Sequence, residues 1–239
     1  MIILSHCTKK LGNFTAVDDV SLRIEPGEFY GIIGPNGAGK TTTIKMMTGL
    51  YSPTSGSLEI NGFDIQRYPL EAKLSTGYIP DQPFLYEKLT GREFLYFTGG
   101  LYRMDHPAVT TRIGELTELF EINSWIDQRN ENYSQGMRQR IVIASALLHR
   151  PKVLIVDEPM VGLDPRSTHI VKNVFKQLAN DGVTIFMSTH SLPVVEELCT
   201  RIGVIKQGKI VFEDSVGRFH IFKKKYNGTF EETFLELTK

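Results

Sequence analysis

Gly34-Pro-Asn-Gly-Ala-Gly-Lys40-Thr41 carries the residue types that a polyphosphate requires, at the spacing G-x-x-x-x-G-K-[ST]. Glycines omit the β-carbons that would keep a loop from wrapping its N–H groups around phosphate oxygens, and a helix starting at the loop's end adds partial positive charge. Lys40 supplies a mobile cation for β- and γ-phosphates, and Thr41 a hard oxygen for Mg²⁺. Pro35, Asn36, Gly37, Ala38, Gly39 and Thr42 complete the expected cradle. A second run, Val153-Leu-Ile-Val-Asp157-Glu158, aims Asp157 from a strand end towards Mg²⁺ and sets Glu158 where a general base polarises an attacking water. Each run alone has a plainer alternative: a glycine-rich turn with an incidental lysine, or a solvent-facing acid at a strand end.

The elements that must position these groups are legible around them. Phe29-Tyr-Gly-Ile-Ile33, Val153-Leu-Ile-Val156 and Val183-Thr-Ile-Phe-Met187 are short apolar runs, the pattern of parallel strands buried on both faces. Ligand groups in such sheets collect at the carboxyl ends of the strands, and these three runs lead into Gly34, Asp157 and His190. Thr42 to Met47 follows the loop as a helix, with Ile44 and Met47 on one face. Val20 to Ile24 and Leu58-Glu-Ile60 alternate apolar with polar, which predicts a half-solvated antiparallel patch. From Gly91 to Arg150, Phe94, Leu95, Leu101, Ile113, Leu116, Leu119 and Phe120 recur at helical spacing, which predicts an inserted helical subdomain. The expected fold is therefore α/β: a phosphate-loop core of mainly parallel sheet, an N-terminal antiparallel β subdomain and a helical insert. One domain spans 1–239, with the core in 1–90 and 151–215, the helical part in 91–150, and an amphipathic tail in 216–239 whose Lys223-Lys-Lys225 is read as a solvated face.

Tyr133-Ser134-Gln-Gly136-Met-Arg-Gln-Arg140 precedes the Asp-Glu strand, and Gly162-Leu-Asp164 and Ser188-Thr-His190 follow it. Ser134 is a good N-cap and Gly136 allows close backbone approach at the start of a largely buried helix. With the phosphate loop, these motifs resemble the ATPase subunits of the ABC transporter family over nearly the whole chain, the Ser-Gln-Gly stretch being similar to the family's Leu-Ser-Gly-Gly-Gln signature. The resemblance implies that two chains pair head to tail around two MgATP molecules. In that pair Ser134 and Gly136 cap the γ-phosphate held by the other chain, Asp164 lies at the dimer contact, and His190 senses the γ-phosphate. It also implies a separate transmembrane subunit as partner, a second ATPase subunit of the same or a related kind, and a cytoplasmic location on the inner face of the membrane. The form of the signature is most like exporter-type systems of bacteria and archaea. A soluble member of the family acting on ribosomes or nucleic acid is the alternative function, and a non-hydrolysing binding module a further one.

Two departures from the family pattern bear on chemistry. The glutamine that ligates Mg²⁺ falls on Asp81, with Gln82 one place later, so Asp81 is assigned the metal position. Leu11 stands before Gly12 where an adenine-stacking aromatic is usual, with Phe14 nearby as a substitute or as a core residue, and modest base selectivity is expected. Asp81 to Thr90 lies where the family receives its membrane subunit, and Phe84, Leu85 and Tyr86 are an apolar cluster for that contact or for the core.

Bulk properties agree with this reading. With 41% hydrophobic and 23% charged residues the chain is globular, and a formal net charge of zero supplies no general attraction to nucleic acid. Cys7 and Cys199 lack a metal-like spacing and suit a reducing compartment. The apolar run at Met1 to Leu4 is too short for a signal peptide, and no stretch approaches the roughly 18 apolar residues of a spanning helix.

Overall fold

The computed structural model describes residues 1–219 and Glu232; Lys223-Lys-Lys225 and the rest of the tail lie outside the described residues. The chain runs β1 (Ile2–Leu11), β2 (Phe14–Ile24), β3 (Phe29–Ile33), α1 (Lys40–Met47), β4 (Ser55–Ile60), β5 (Phe63–Asp64), α2 (Pro69–Leu74) and β6 (Thr76–Ile79). It continues with α3 (Gly91–Leu101), α4 (His106–Leu119), α5 (Gln135–Leu147), β7 (Val153–Asp157), α6 (Pro165–Asn180), β8 (Thr184–Ser188), α7 (Leu192–Leu198), β9 (Arg201–Lys206) and β10 (Lys209–Ser215).

Among the described residues these strands form two sheets. One has four strands in the order β2-β1-β4-β5, all antiparallel, and the other six in the order β10-β9-β3-β8-β7-β6. In the second, β9, β3, β8, β7 and β6 run parallel and only β10 is reversed. β3, β7 and β8 are buried at every position, as continuous apolar runs require. The strand period of two splits their side chains between two cores. Phe29, Ile33, Leu154, Val156, Ile185 and Met187 pack with helical residues such as Ile113, Ile141 and Phe175. Tyr30, Ile32, Val153, Ile155 and Phe186 pack with the antiparallel sheet and with Ile44 and Met47 of α1. The antiparallel sheet is half-solvated: Val20, Leu22 and Ile24 are buried while Ser21 and Arg23 are exposed.

α3, α4 and α5 follow one another between β6 and β7, each started by its own cap. Thr90 and Glu93 form a reciprocal capping box on α3, Asp105 caps α4, and Ser134 caps α5 by accepting from the Met137 N–H. Leu95, Ile113, Leu116 and Phe120 are fully buried, but Leu101 is 66% exposed and lies off the core face its spacing suggested. It follows the exposed Gly100 on the open side of the last turn of α3, whose other side is buried through Thr98 and Gly99. Among the described residues no helix is long and apolar enough to cross a membrane.

Candidate active site

The carboxyl ends of adjacent parallel strands deliver the chemistry to one edge of the sheet. β3 runs directly into Gly34, β7 ends at Asp157 and β8 stops two residues before His190, while β6 leads through Pro80 to Asp81. This is the edge of an open α/β sheet at which ligands bind.

Gly34 has no room for a side chain, because a β-carbon there would strike the Ile205 carbonyl. Gly39 has φ 114, and a β-carbon on it would lie 2.5 Å from the Ala16 carbonyl, so glycine is required on both counts. Gly39 is also the N-cap of α1 and supplies no side-chain cap, which leaves the first-turn N–H groups for an anion. The loop is braced from behind, since Gly208 donates its N–H to the Ala38 carbonyl at 2.8 Å and Asp18 donates to Gly208 at 2.9 Å. Pro35, Asn36, Gly37 and Thr41 are exposed and Thr42 is half-buried, whereas Ala38 and Lys40 are buried.

Lys40 turns back into this loop, its ammonium donating to the Gly34 carbonyl at 2.7 Å and the Pro35 carbonyl at 3.2 Å. Burial lowers its pKa, while Glu158 and Asp157 pull it back up. Asp157 is 1% exposed; one oxygen accepts from the Ser188 hydroxyl and the other is buried without a partner. Burial raises its pKa, the hydroxyls of Ser188 and Thr41 lower it, and the carboxylates of Asp81 and Glu158 raise it further. Asp157 and Asp81 in turn join burial in pushing the Tyr78 phenol up to about 12. Two carboxylates, Glu158 and Asp157, thus bear on one ammonium, and Asp81 adds its charge beside Asp157. An orphaned hard oxygen within a local excess of negative charge, with a threonine hydroxyl alongside, is a donor set suited to Mg²⁺.

Glu158 follows Asp157 with φ 47, an uncommon backbone conformation for a non-glycine residue. Its N–H donates to the Ser188 carbonyl at 3.1 Å, which fixes the turn. Its carboxylate, 18% exposed, lies 3.0 Å from Nδ1 of His190 and also faces the His190 N–H at 3.4 Å. His190 itself is 67% exposed. The sequence reading gave Ser188 no role, although it stands directly before Thr189-His190. Its importance comes from register: Asp157 pairs with Ser188 across β7 and β8, so one serine holds both acids.

Ser134, Gly136 and Asp164 form a second group. Ser134 is exposed at the start of α5, and Asp164 caps α6, accepting from both the N–H and the hydroxyl of Ser167. Those bonds hold the Asp164 carboxyl below its usual range. A β-carbon on Gly136 would lie 3.1 Å from the Asp164 carboxylate, so the close approach allowed by this glycine is to its own chain. Among the described residues no hydrogen bond or ion pair joins Ser134 or Gly136 to the phosphate loop.

Phe14 is not a core residue. It is 62% exposed and lines an opening of about 450 Å³ with Pro35, Asn36, Gly37, Lys206 and Gln207, while Leu11 is 42% exposed. A ring three residues after β1 reaches the phosphate loop because Gly12, at φ 61, turns β1 tightly back into β2.

The fold and the site define a phosphate-loop ATPase domain. The chain belongs to the ABC transporter family, whose model, described as "ABC transporter", matches residues 17–161. It is similar to the linearmycin resistance ATP-binding protein of Bacillus subtilis (strain 168), at 38% identity over 211 residues, 88% of this chain and 68% of that protein. It is also similar to the ABC transporter ATP-binding protein NatA of the same organism, at 35% identity over 221 residues and 90% of each chain. Among solved structures, an ATP-binding subunit of an ABC transporter superposes with a TM-score of 0.92 at 29% identity, covering 100% of both chains. A dimeric ATP-binding cassette in a post-hydrolysis state, bound to ADP and Pi, superposes at 0.82 with 27% identity, covering 90% of this chain and 99% of that one. Within its family this chain is the ATP-binding, ATP-hydrolysing subunit.

Proposed function

We propose that this chain binds and hydrolyses MgATP in a head-to-tail pair and so drives an exporter-type transmembrane subunit from the cytoplasmic face of the membrane. One observation carries the pairing: the signature serine and the phosphate loop do not meet within one chain, yet the exposed Ser134 stands at a helix start suited to a phosphate. A second copy in reversed orientation brings each Ser134 and Gly136 to the other's phosphates, with Asp164 at the contact. The resemblance to dimeric cassettes supports the same arrangement.

In this reading the loop N–H groups of residues 34–42 and Lys40 bind the β- and γ-phosphates, Lys40 exchanging its loop carbonyls for phosphate oxygens. Glu158 takes a proton from the attacking water, and His190 holds the Glu158 carboxylate and faces the γ-phosphate. Thr41, Asp157 and Asp81 would hold Mg²⁺, which when bound neutralises phosphate charge. Phe14 offers its exposed face to the base. Loss of the γ-phosphate removes the contacts that join the two copies, so the pair opens, and a membrane subunit that prefers one state is driven by the cycle.

Asp81 is exposed, and one of its oxygens accepts from the Gln82 N–H at 2.9 Å, leaving the other free to turn towards the metal. Asp81→Ala is expected to raise the Mg²⁺ concentration for half-maximal hydrolysis about tenfold, the low end for losing a metal-site partner. Gln82→Ala is expected to change it less than about twofold. The reverse ranking in a Mg²⁺ titration would move the metal role to Gln82.

The 84–86 cluster divides. Leu85 is buried, while Phe84 is 68% and Tyr86 47% exposed, edge-on to each other at 5.5 Å, with Phe97 5.4 Å from Tyr86. An exposed aromatic group of this kind marks a protein contact. It is the proposed seat of the membrane subunit, and affinity purification from membranes of the source cell tests it. The wild type is expected to retain one integral membrane protein, and the Phe84→Ser, Tyr86→Ser double variant to lose it with unchanged ATP binding. Retention by both would send the docking face elsewhere, and recovery of ribosomes or nucleic acid instead would favour the soluble alternative.

A further inference from the structure

Two glutamines one helical turn apart on α5 reach the backbone just beyond Glu158. Gln135 donates its side-chain amide to the Val161 carbonyl at 3.3 Å, and Gln139, 4% exposed, donates to the Pro159 carbonyl at 3.3 Å. On a helix, residues i and i+4 share a face, so the pair makes two rungs onto alternate carbonyls of one short loop. The loop is shaped to receive them. Gly162 has φ 73, and a β-carbon on it would occupy the space filled by the Gln135 amide. In the opposite direction, Gly136 leaves room for the Asp164 carboxylate and the Ser167 hydroxyl, each 3.1 Å from where its β-carbon would be.

This loop begins in strain. Glu158 holds φ 47, and a non-glycine residue in that region persists only where its surroundings over-determine it. On the strand side, the Ser188 carbonyl and hydroxyl hold the Glu158 N–H. On the loop side, Val161 donates to the Glu158 carbonyl and Leu163 to the Met160 carbonyl, each at 3.3 Å, and both of these bonds lie within the loop itself. The two glutamine rungs supply the remaining restraint, and they come from the helix that Ser134 caps.

We infer that Gln135 is a positioning residue for hydrolysis: with Gln139 it clasps the start of α5 to the 159–161 backbone, so that Ser134 and Glu158 move as one body. The buried rung at Gln139 is the hinge pin, and the exposed rung at Gln135 closes the clasp at the end nearest Ser134. The consequence for coupling rests on the paired arrangement proposed above. A phosphate of the second copy arriving at Ser134 tightens the start of α5, and the clasp passes that order to the chain's own Glu158. Each site then becomes competent when the other is filled.

The test compares Gln135→Ala and Gln135→Glu with the wild-type chain. Glutamate keeps the shape of glutamine but turns the donor into a second acceptor facing a carbonyl, so it breaks the bond without opening space. Amide hydrogen exchange at Val161 and Leu163 is expected to speed up about three- to tenfold in both variants, the range that one neutral hydrogen bond commands. kcat is expected to fall by a similar factor while KM for ATP and the melting temperature stay put. A plain packing role would spare the isosteric glutamate, and wild-type exchange or wild-type kcat in Gln135→Glu overturns the inference. So does a rise in KM at constant kcat, which would make Gln135 a binding group. Exchange is read without turnover, so a wild-type chain that fails to hydrolyse ATP on its own counts against self-pairing, and the exchange result still decides the clasp.

Discussion

Glu158→Gln is expected to lower ATP turnover by at least about 100-fold while MgATP still binds, the smaller end of what a positioned general base contributes. The substitution keeps volume and one acceptor oxygen but removes the basic carboxylate. Among the described residues the other acids of the site are placed differently, and Asp81 is exposed with one oxygen bonded to the Gln82 N–H. Asp157 is buried and already committed to the Ser188 hydroxyl, with its free oxygen suited to a cation rather than to a water's proton. His190, 67% exposed, contacts Glu158 rather than replacing it. Because the phosphate loop, Lys40 and the signature helix are untouched, ATP is expected to remain in place and to hold two copies together. Sizing chromatography in MgATP should then show a dimer for the variant, and a monomer for the wild type once its ATP is spent. Turnover within about tenfold of wild type would pass the base role to another group, such as the His190 imidazole. An inactive variant that stays monomeric in ATP would leave the base role intact and count against the two-copy sandwich.

Much of this site is legible in the sequence because each motif closes an element of clear period. The five-residue apolar strands β3 and β7 are fully buried and end where the glycine loop and Asp157-Glu158 begin, so the chemistry could be placed before any coordinates. The cap at Ser134 was readable for the same reason, a short polar side chain standing immediately before a helix, whereas the cap that Asp164 makes on α6 was not read. β1 was harder, because its alternation is broken. His6 sits at φ 50 and Asp19 at φ 53 across the pair, and the register between β1 and β2 shifts at three points. β6 is only four residues long and contains Gly77, which lacks the β-branched enrichment of its neighbours. Contacts made between elements left the weakest trace. Neither the Ser188 bond to Asp157 nor the Gln139 bond to Pro159 follows from spacing along the chain, since each joins residues 20 or more apart. The exposure of Phe14 and the division of Phe84, Leu85 and Tyr86 between surface and core also depend on how loops fold back, and an apolar side chain in a turn carries no sign of which way it faces.

Lys40→Met is expected to weaken ATP binding roughly 100-fold or more, the loss that follows from removing one partner of a buried charge pair. Methionine fills the aliphatic part of the space, so the loop backbone has no cause to collapse. The opposing effects on the empty protein nearly cancel. The ammonium is buried at a cost, as its lowered pKa records, and its removal relieves that cost; yet Gly34 and Pro35 lose a donor and Asp157 and Glu158 lose their cation. The melting temperature without ligand is therefore expected to move by no more than about 2–4 °C, the equivalent of about 1 kcal/mol in a domain of this size. The ligand response separates the two proteins. At a concentration 100 times the wild-type Kd, ATP stabilises a single-site protein by about 2.7 kcal/mol. The same concentration only equals the Kd of a variant weakened 100-fold and gives about 0.4 kcal/mol. Thermal melts with and without MgATP should thus show a shift of several degrees in the wild type and about one degree in the variant. A full ATP shift in Lys40→Met would mean that the loop N–H groups and the metal carry the phosphates without the lysine. Lys40 would then act on the transition state alone, visible as a loss of kcat at unchanged KM.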